Sequence, residues 1–294
     1  MTQLTLQGKT AVLTGASRGI GKAVADALVA RGANVVIGDL LDKEGQALVD
    51  GYNSTEKRAA YIHSDATRYS DIVALFQLAE KEFGGVDIAV LNAGIISHSN
   101  NLFGPFDDVG DEKMMQVNVN SVIKGTKVAV LHMARRGGGV IVSTASMAGL
   151  YSSALELAPY TASKHAVVGH TRSFDLLPAV CNVRVNCVCP YWVETDLLTY
   201  LKDGETQNPF DTLVTHSPRT KVQTVVEAFI TLIEDDTRKG ETLLALPDGI
   251  KVHDRPTGYQ STAIDPPHVQ EYVKTNVAFM KAQLAEALKR YDQA

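Results

Sequence analysis

Residues 10–39, "TAVLTGASRGIGKAVADALVARGANVVIGD", decide how this chain folds. A β-branched, apolar run stops at Gly15, and apolar residues then return at helical spacing until Gly32. A second apolar run ends in Asp39. The pattern predicts a strand over 10–15, a helix over 20–32 and a strand over 33–39. In the turn between the first two, "TGASRGIG" (14–21), Gly15, Gly19 and Gly21 leave room for a tight bend and for a phosphate to reach the backbone. The positive end of the following helix faces that phosphate. Glycines alone are weak evidence, because helices often begin after one; the strand-turn-helix setting makes this a nucleotide site.

The same rhythm runs outward along the chain. "DIVALFQLAEKEFG" (71–84) predicts a helix and "VDIAVLNAG" (86–94) a strand. A long helix over 112–137 precedes a strand over 139–146, and a helix over 156–177 precedes a strand over 183–189. The last pair is a helix over 224–235 and a strand over 241–246. Continuous apolar strands separated by helices predict an α/β fold: a doubly wound parallel sheet of Rossmann type with helices on both faces. Such sheets bind ligands outside the carboxyl ends of their strands. A single domain over 1–250, both dinucleotide-binding and catalytic, is expected. Within it, 196–221 is irregular with scattered apolar residues (Leu197, Leu198, Tyr200, Leu201, Phe210, Leu213), which suits a substrate lid. Residues 251–294 form an extension whose amphipathic helix places Val273, Val277, Met280, Leu284 and Leu288 on one face.

Composition narrows the function. The 294 residues are 45% hydrophobic and 21% charged, as in ordinary globular proteins, and the net charge of −5 gives no electrostatic reason to approach nucleic acid or an anionic membrane. Cys181, Cys187 and Cys189 lie within nine residues, "NVRVNCVCP" (182–190) alternates as a strand does, and they read as small buried residues rather than as a reactive thiol or a disulfide. The first residues lack the pattern of a signal peptide, and no apolar stretch is long enough to cross a bilayer, so a cytoplasmic location is expected. The eight histidines are scattered without ligand spacing, and no metal site is expected.

"PYTASK" (159–164) places Tyr160 and Lys164 one helical turn apart, on one face. Taken alone, such a pair is most simply a solvated surface decoration. The functional reading is that the cation changes what the phenol can do. A free tyrosine has a pKa near 10, so at pH 7.5 only about one in three hundred is ionised. A lysine nearby favours phenolate, and so does the ring of an oxidised nicotinamide. Two to three units of lowering correspond to roughly 3–4 kcal/mol and would bring the group near working pH.

Together, the T-G-x-x-x-G-x-G turn (14–21), Asp65-Ala66 after the third strand, "NAG" (92–94) after the fourth, and Tyr160-x-x-x-Lys164 downstream of a serine-bearing strand resemble the short-chain dehydrogenase/reductase family, from about residue 6 to 250. Within it, 146–173 and 231–241 look most like 15-hydroxyprostaglandin dehydrogenase-like members, which oxidise a secondary alcohol with NAD. The resemblance implies a coenzyme lying on Gly15, Ser17, Arg18, Gly19, Ile20, Asp65, Ala66, Asn92, Ala93 and Gly94. Asp39, at the end of the second strand, can accept hydrogen bonds from both adenosine ribose hydroxyls and would repel a 2′-phosphate. NAD is therefore favoured over NADP, although Arg18 pulls the other way and Asp39 also reads as a strand-end turn residue. Ser146 resembles the serine that fixes the substrate oxygen, with Ser143 and Thr144 as neighbouring competitors. Asn118 resembles the helix asparagine that helps hold a water linking the lysine to solvent, with Asn120 as its local rival. The implied roles are a proton taken or given by Tyr160, with Lys164 lowering its pKa and binding the nicotinamide ribose.

Two departures bear on the site. The family's Pro-Gly-x-x-x-Thr after the sixth strand here reads "PYWVET" (190–195), so Pro190, Val193 and Thr195 still suit the nicotinamide end while Tyr191 replaces the glycine. Tyr191 either walls the substrate pocket or merely packs. The subgroup's substrate-binding glutamine, three residues before the tyrosine, is Leu157, which argues against a prostaglandin and for another apolar alcohol or ketone. The leading expectation is an NAD-dependent secondary-alcohol dehydrogenase, assembled by resemblance as a homodimer or homotetramer. The alternatives are an NADPH-linked ketone reductase, a nucleotide-binding sensor or scaffold without turnover, and a non-redox use of the fold.

Overall fold

The computed structural model describes residues 5–96, 106–151, 154–199, 209–254 and 266–293. Strands β1 (Thr10–Thr14), β2 (Asn34–Asp39), β3 (Ala59–His63), β4 (Ile88–Leu91), β5 (Gly139–Thr144), β6 (Val183–Pro190), β7 (Thr242–Leu246) and β8 (Gly249–Val252) form one sheet. Its order is β3-β2-β1-β4-β5-β6-β7-β8, parallel throughout except for the antiparallel β7–β8 pair. The helices are α1 (Gly19–Ala30), α2 (Asp42–Tyr52), α3 (Tyr69–Phe83), α4 (Asp108–Met115), α5 (Ser121–Arg136), α6 (Ala158–Arg172), α7 (Leu177–Cys181), α8 (Asp196–Thr199), α9 (Pro209–His216), α10 (Val222–Glu234) and α11 (Pro266–Asp292).

Every residue of β1 and β4 is buried, because the sheet is covered on both sides. One core joins Leu13, Val35 and Ile37 to Val24 and Leu28 of α1 and to Phe229 and Leu232 of α10. The other joins Val12, Ala89 and Ile141 to Ile72, Leu75 and Phe76 of α3, Met133 of α5 and Val167 of α6. Strand order reverses around β1, which pairs β2 on one side and β4 on the other. A crevice at the carboxyl ends of β1 and β4 is the expected ligand position in such a sheet.

Two elements depart from the predicted pattern. The helical run over 112–137 starts earlier, at Asp108, and is interrupted by a π-helical turn, Gln116–Asn120. The 156–177 run is a 3-10 turn, then α6, then a separate α7 whose first turn holds Pro178, a residue that cannot continue a helix interior. The stretch α2, not singled out by periodicity, carries Gly45 and Gly51 and only two buried residues. The antiparallel β8 is likewise short, four residues.

In α11, Val277, Leu284 and Leu288 are half-buried, whereas Val273 and Met280 of the same stripe are exposed, so the helix is docked mainly through its later turns. It packs on α7 and α5. There, His132 of α5 is sealed between Glu80 Oε1, 2.6 Å from Nδ1, and the Tyr291 hydroxyl, 2.8 Å from Nε2. With Nδ1–H donated to Glu80 and the Tyr291 O–H donated to Nε2, a neutral ring is fully satisfied. Burial holds its pKa below the ordinary value although the Glu80 carboxylate pulls it up. Arg135 pairs with Asp292 and lies over the Tyr291 ring. Tyr200 and Leu201 of the expected lid lie outside the described residues.

Candidate active site

The turn after β1 is built by close approach. Gly15 has φ +64°, and a Cβ there would come 2.7 Å from the Ala93 Cα. A Cβ on Gly21 would come 2.5 Å from the Gly15 carbonyl oxygen. Asn92 stitches three strand ends together. Its Nδ2 donates to Gly15 O (2.7 Å), its Oδ1 accepts from Thr144 Oγ1 (2.9 Å), and its backbone N–H donates to Thr14 Oγ1 (3.1 Å). No side chain caps the first turn of α1, and no acidic residue lies in it. Its backbone N–H groups and positive end are thus left for an external anion.

Asp39 lies beside this turn, accepting from the N–H groups of Ser17 (2.9 Å) and Leu41 (3.1 Å). Arg18 pairs with Asp196 at 3.1 Å, on the segment that leaves β6. That segment passes over the turn: the Thr195 side chain would meet a Cβ on Gly19 at 3.9 Å. Asp65, by contrast, turns its carboxylate inward on its own loop, accepting from Thr67 N and Oγ1 at 2.9 and 2.8 Å. Uncapped helix end, close-packed glycines and a strand-end carboxylate together fit a dinucleotide.

Beyond β5, Ser146 caps a 3-10 turn, accepting from Ala148 N at 3.2 Å. Its hydroxyl also lies close enough to the Tyr160 phenol to pull that group's pKa down. Ser143 is buried within the sheet, which removes it as a competitor, and Thr144 Oγ1 is committed to Asn92. Lys164 Nζ, almost wholly buried, donates to the Thr144 carbonyl oxygen at 3.0 Å and lies 5.6 Å from the Tyr160 ring centre. One residue, Thr144, therefore anchors both Asn92 and the lysine, a double duty that nothing in the sequence pattern announces.

The expected direction of the phenol shift is not what the protein groups alone produce. Tyr160 is half-buried, yet the cleft desolvates it enough to push its pKa up to about 12, with only the Ser146 hydroxyl acting downward. Burial brings Lys164 down to about 8. The ammonium lies against the Tyr160 ring and is held by the Thr144 carbonyl.

Asn118 sits in the π-helical turn and is fully buried. Its Oδ1 accepts from Ile95 N (2.8 Å), and its Nδ2 donates to Ile95 O (2.9 Å) and to Ser163 Oγ (3.1 Å). Both N–H donors of its amide are thereby spent on protein partners, while Oδ1 keeps a second lone pair. Asn120 bonds Gln116 within its own helix and drops out as the rival.

An apolar wall closes the other side. Leu157, Leu198, Phe210 and Val214 cluster with Ile96, Ala154, Tyr160 and Trp192. Tyr191, Trp192 and Phe210 make successive edge contacts, with ring centres 6.1 and 6.4 Å apart. Trp192 leaves no signal in the sequence, since a lone aromatic in a loop carries no period. Val193 is buried, pairing with Thr220, and Pro190 ends β6 at the base of this wall.

The family profile described as short chain dehydrogenase matches residues 9–206. The chain belongs to that family. It is 37% identical over 193 residues to 3beta-hydroxysteroid dehydrogenase 2 of Eggerthella lenta, covering 65% of this chain and 74% of that one. It is 32% identical over 250 residues to human 15-hydroxyprostaglandin dehydrogenase [NAD(+)], covering 80% and 90%. A solved short-chain type dehydrogenase/reductase from Mycobacterium marinum superposes with a TM-score of 0.75 at 28% identity, covering 83% of this chain and 96% of that one. The short-chain dehydrogenase described here is thus an oxidoreductase of the alcohol dehydrogenase/reductase type using an NAD(P) nucleotide. Among the described residues there is no cluster able to hold a metal ion, and no helix is long and apolar enough to cross a membrane.

Proposed function

We propose that this enzyme oxidises a secondary alcohol on an apolar small molecule to a ketone, with NAD as acceptor and Tyr160 as general base. The observation that carries the reading is the joining of Ser146, Tyr160 and Lys164 in one cleft whose far side is the Leu157/Leu198/Phe210/Val214 cluster, with Tyr160 packed against it. Leu157, fully buried in that wall, offers a substrate no hydrogen bond, so the molecule is apolar on this side and is not a prostaglandin.

The coenzyme would be held by the glycine turn, Asn92, Asp39 and Lys164. When bound, the oxidised dinucleotide supplies the acceptor for a hydride from the carbinol carbon and a positive ring that favours phenolate. Ser146 Oγ holds the substrate oxygen, and Tyr160 Oη takes its proton. A phenol at about 12 is a poor base at neutral pH, so the ternary complex must lower it. Lys164, fixed by Thr144, is placed to bind the nicotinamide ribose and to keep cationic charge beside the ring. NAD is supported by Asp39, whose carboxylate would repel a 2′-phosphate, and by the engagement of Arg18 with Asp196. A homodimer or homotetramer in the cytoplasm completes the reading.

Initial rates with NAD and a series of secondary alcohols, from 2-butanol to 2-decanol and cyclic analogues, test it. Tyr160→Phe keeps the ring and removes the transferable proton, and should lower kcat/KM by about a thousandfold or more. Retention of more than about a tenth of the wild-type rate would end the role of Tyr160. Tighter binding of NADPH than NADH in parallel titrations would replace the reading with that of a ketone reductase.

A further inference from the structure

Ser163 lies between Tyr160 and Lys164 in sequence, and nothing so far gives it work. It is fully buried. Its Oγ donates to the Tyr160 carbonyl oxygen at 2.7 Å and accepts from Asn118 Nδ2 at 3.1 Å. Asn118 in turn grips both backbone polar groups of Ile95, at 2.8 and 2.9 Å, just after the Asn92-Ala93-Gly94 stretch that touches the glycine turn. One chain of hydrogen bonds therefore runs from the loop after β4, through the π-helical turn, to the first turn of α6. Beside the link that Thr144 makes between Asn92 and Lys164, one buried hydroxyl thus joins the β4 loop to the turn of α6 that carries Tyr160.

The link starts from the π turn, which carries Asn118. A regular α-helix through 116–120 would carry its side chains onward at 3.6 residues per turn, whereas the widened turn marks a local insertion of the kind often found at functional sites. Asn118 is fully buried and faces two separate segments, with both N–H donors and one lone pair of its amide in use. Lys164 has an independent anchor in Thr144, but the backbone of Tyr160 is tied to the rest of the site through Ser163.

We propose that Ser163 is a positioning residue, the hydroxyl bolt that couples Asn118 and the β4 loop to the helix turn carrying Tyr160. The inference rests on the reading of Tyr160 as the base only for its catalytic consequence; its structural part stands alone. Ser163→Ala leaves one Asn118 N–H without a partner in a buried site, which loosens the whole chain of bonds. Threonine keeps a hydroxyl able to reach a carbonyl one turn back, so Ser163→Thr restores the link.

Two measurements test this on the full chain. Hydrogen–deuterium exchange reads the link without turnover: Ser163→Ala should speed exchange of the Ile95 amide and of the first turn of α6 by about tenfold, and Ser163→Thr should stay within about twofold of wild type. Turnover is measured with NAD and the best 2-alkanol of the series. There, Ser163→Ala should lower kcat about tenfold while leaving KM for the alcohol within about twofold, and Thr should recover most of the loss. In an Asn118→Ala background the same substitution should cost less than about twofold, because the link is already cut. NADH affinity, followed by quenching of Trp192, the only tryptophan, checks that each variant is folded and loaded. Unchanged exchange at Ile95 in Ser163→Ala, or a loss that simply adds to that of Asn118→Ala, overturns the proposal. If no 2-alkanol is oxidised, the proposed reaction falls, while the exchange measurement still decides the fate of Ser163.

Discussion

The glycine turn after β1 and the apolar wall around Phe210 face each other across one cleft but obey different rules. In the turn, backbone meets backbone: Gly15 against Ala93, Gly21 against Gly15, Asn92 bridging the ends of β1 and β5. No other residue type fits, so the chemistry of the coenzyme is written in the residues themselves. In the wall, Leu157, Leu198, Phe210, Val214 and Trp192 touch chiefly through apolar surface. Any set of similar volume would pack there, since cores tolerate substitution when volume and polarity are kept. Constraint by geometry makes one half readable in the sequence, while constraint by volume leaves the other half open to many residue choices.

The most severe test of this contrast is Gly15→Ala. The new Cβ would collide with the Ala93 backbone, and the residue would have to hold φ +64°. A loss of at least about a hundredfold in NADH affinity, measured by titration, is expected from a clash plus left-handed strain of about 1–2 kcal/mol. Affinity within a fewfold of wild type would mean that the turn yields as easily as the wall does.

Lys164 belongs to both halves, and its replacement by Met separates function from stability. Turnover should fall about a hundredfold or more. Stability should move the other way. The folded value of about 8 lies below the ordinary 10.5, so the fold disfavours the ammonium. That penalty is fully present below about pH 8, fades between about 8 and 10.5, and is gone above. Lys164→Met should therefore be more stable than wild type at pH 7, by roughly 1–3 kcal/mol after losing the bond to Thr144, and the gap should close by about pH 10.5. Urea denaturation at both pH values measures it; a variant less stable at pH 7 would show that the hydrogen bond outweighs burial.

Phe210→Ala gives the mildest of the three effects at the site. KM for a long 2-alkanol should rise about tenfold, while NADH affinity stays within about twofold. Equal damage to both would mean that the wall supports the coenzyme as well, and the contrast would fail.

The same contrast explains how much could be read in advance. The sheet, its alternation and the turn were legible because periodicity and glycine placement are local properties of the chain. Ser146, Tyr160, Lys164 and Asn118 were placed by family resemblance, and they come together through contacts no window of sequence contains: Asn118 meets Ser163 across 45 residues, and Lys164 meets Thr144 across 20. Trp192 and the anchoring role of Thr144 left no periodic trace. One-turn spacing puts the Lys164 ammonium on the same helix face as Tyr160, but how far burial of the phenol opposes it is a tertiary effect that no window of sequence contains.

The bond from Tyr291 to His132 closes a loop of 159 residues. Joining points so distant along a polymer is entropically costly and is rewarded only once the intervening chain has taken shape. Docking of α11 on the His132 imidazole is accordingly expected to follow assembly of the sheet. If the contact forms late, Tyr291→Phe should leave the refolding rate nearly unchanged and hasten unfolding, as stopped-flow denaturation would record.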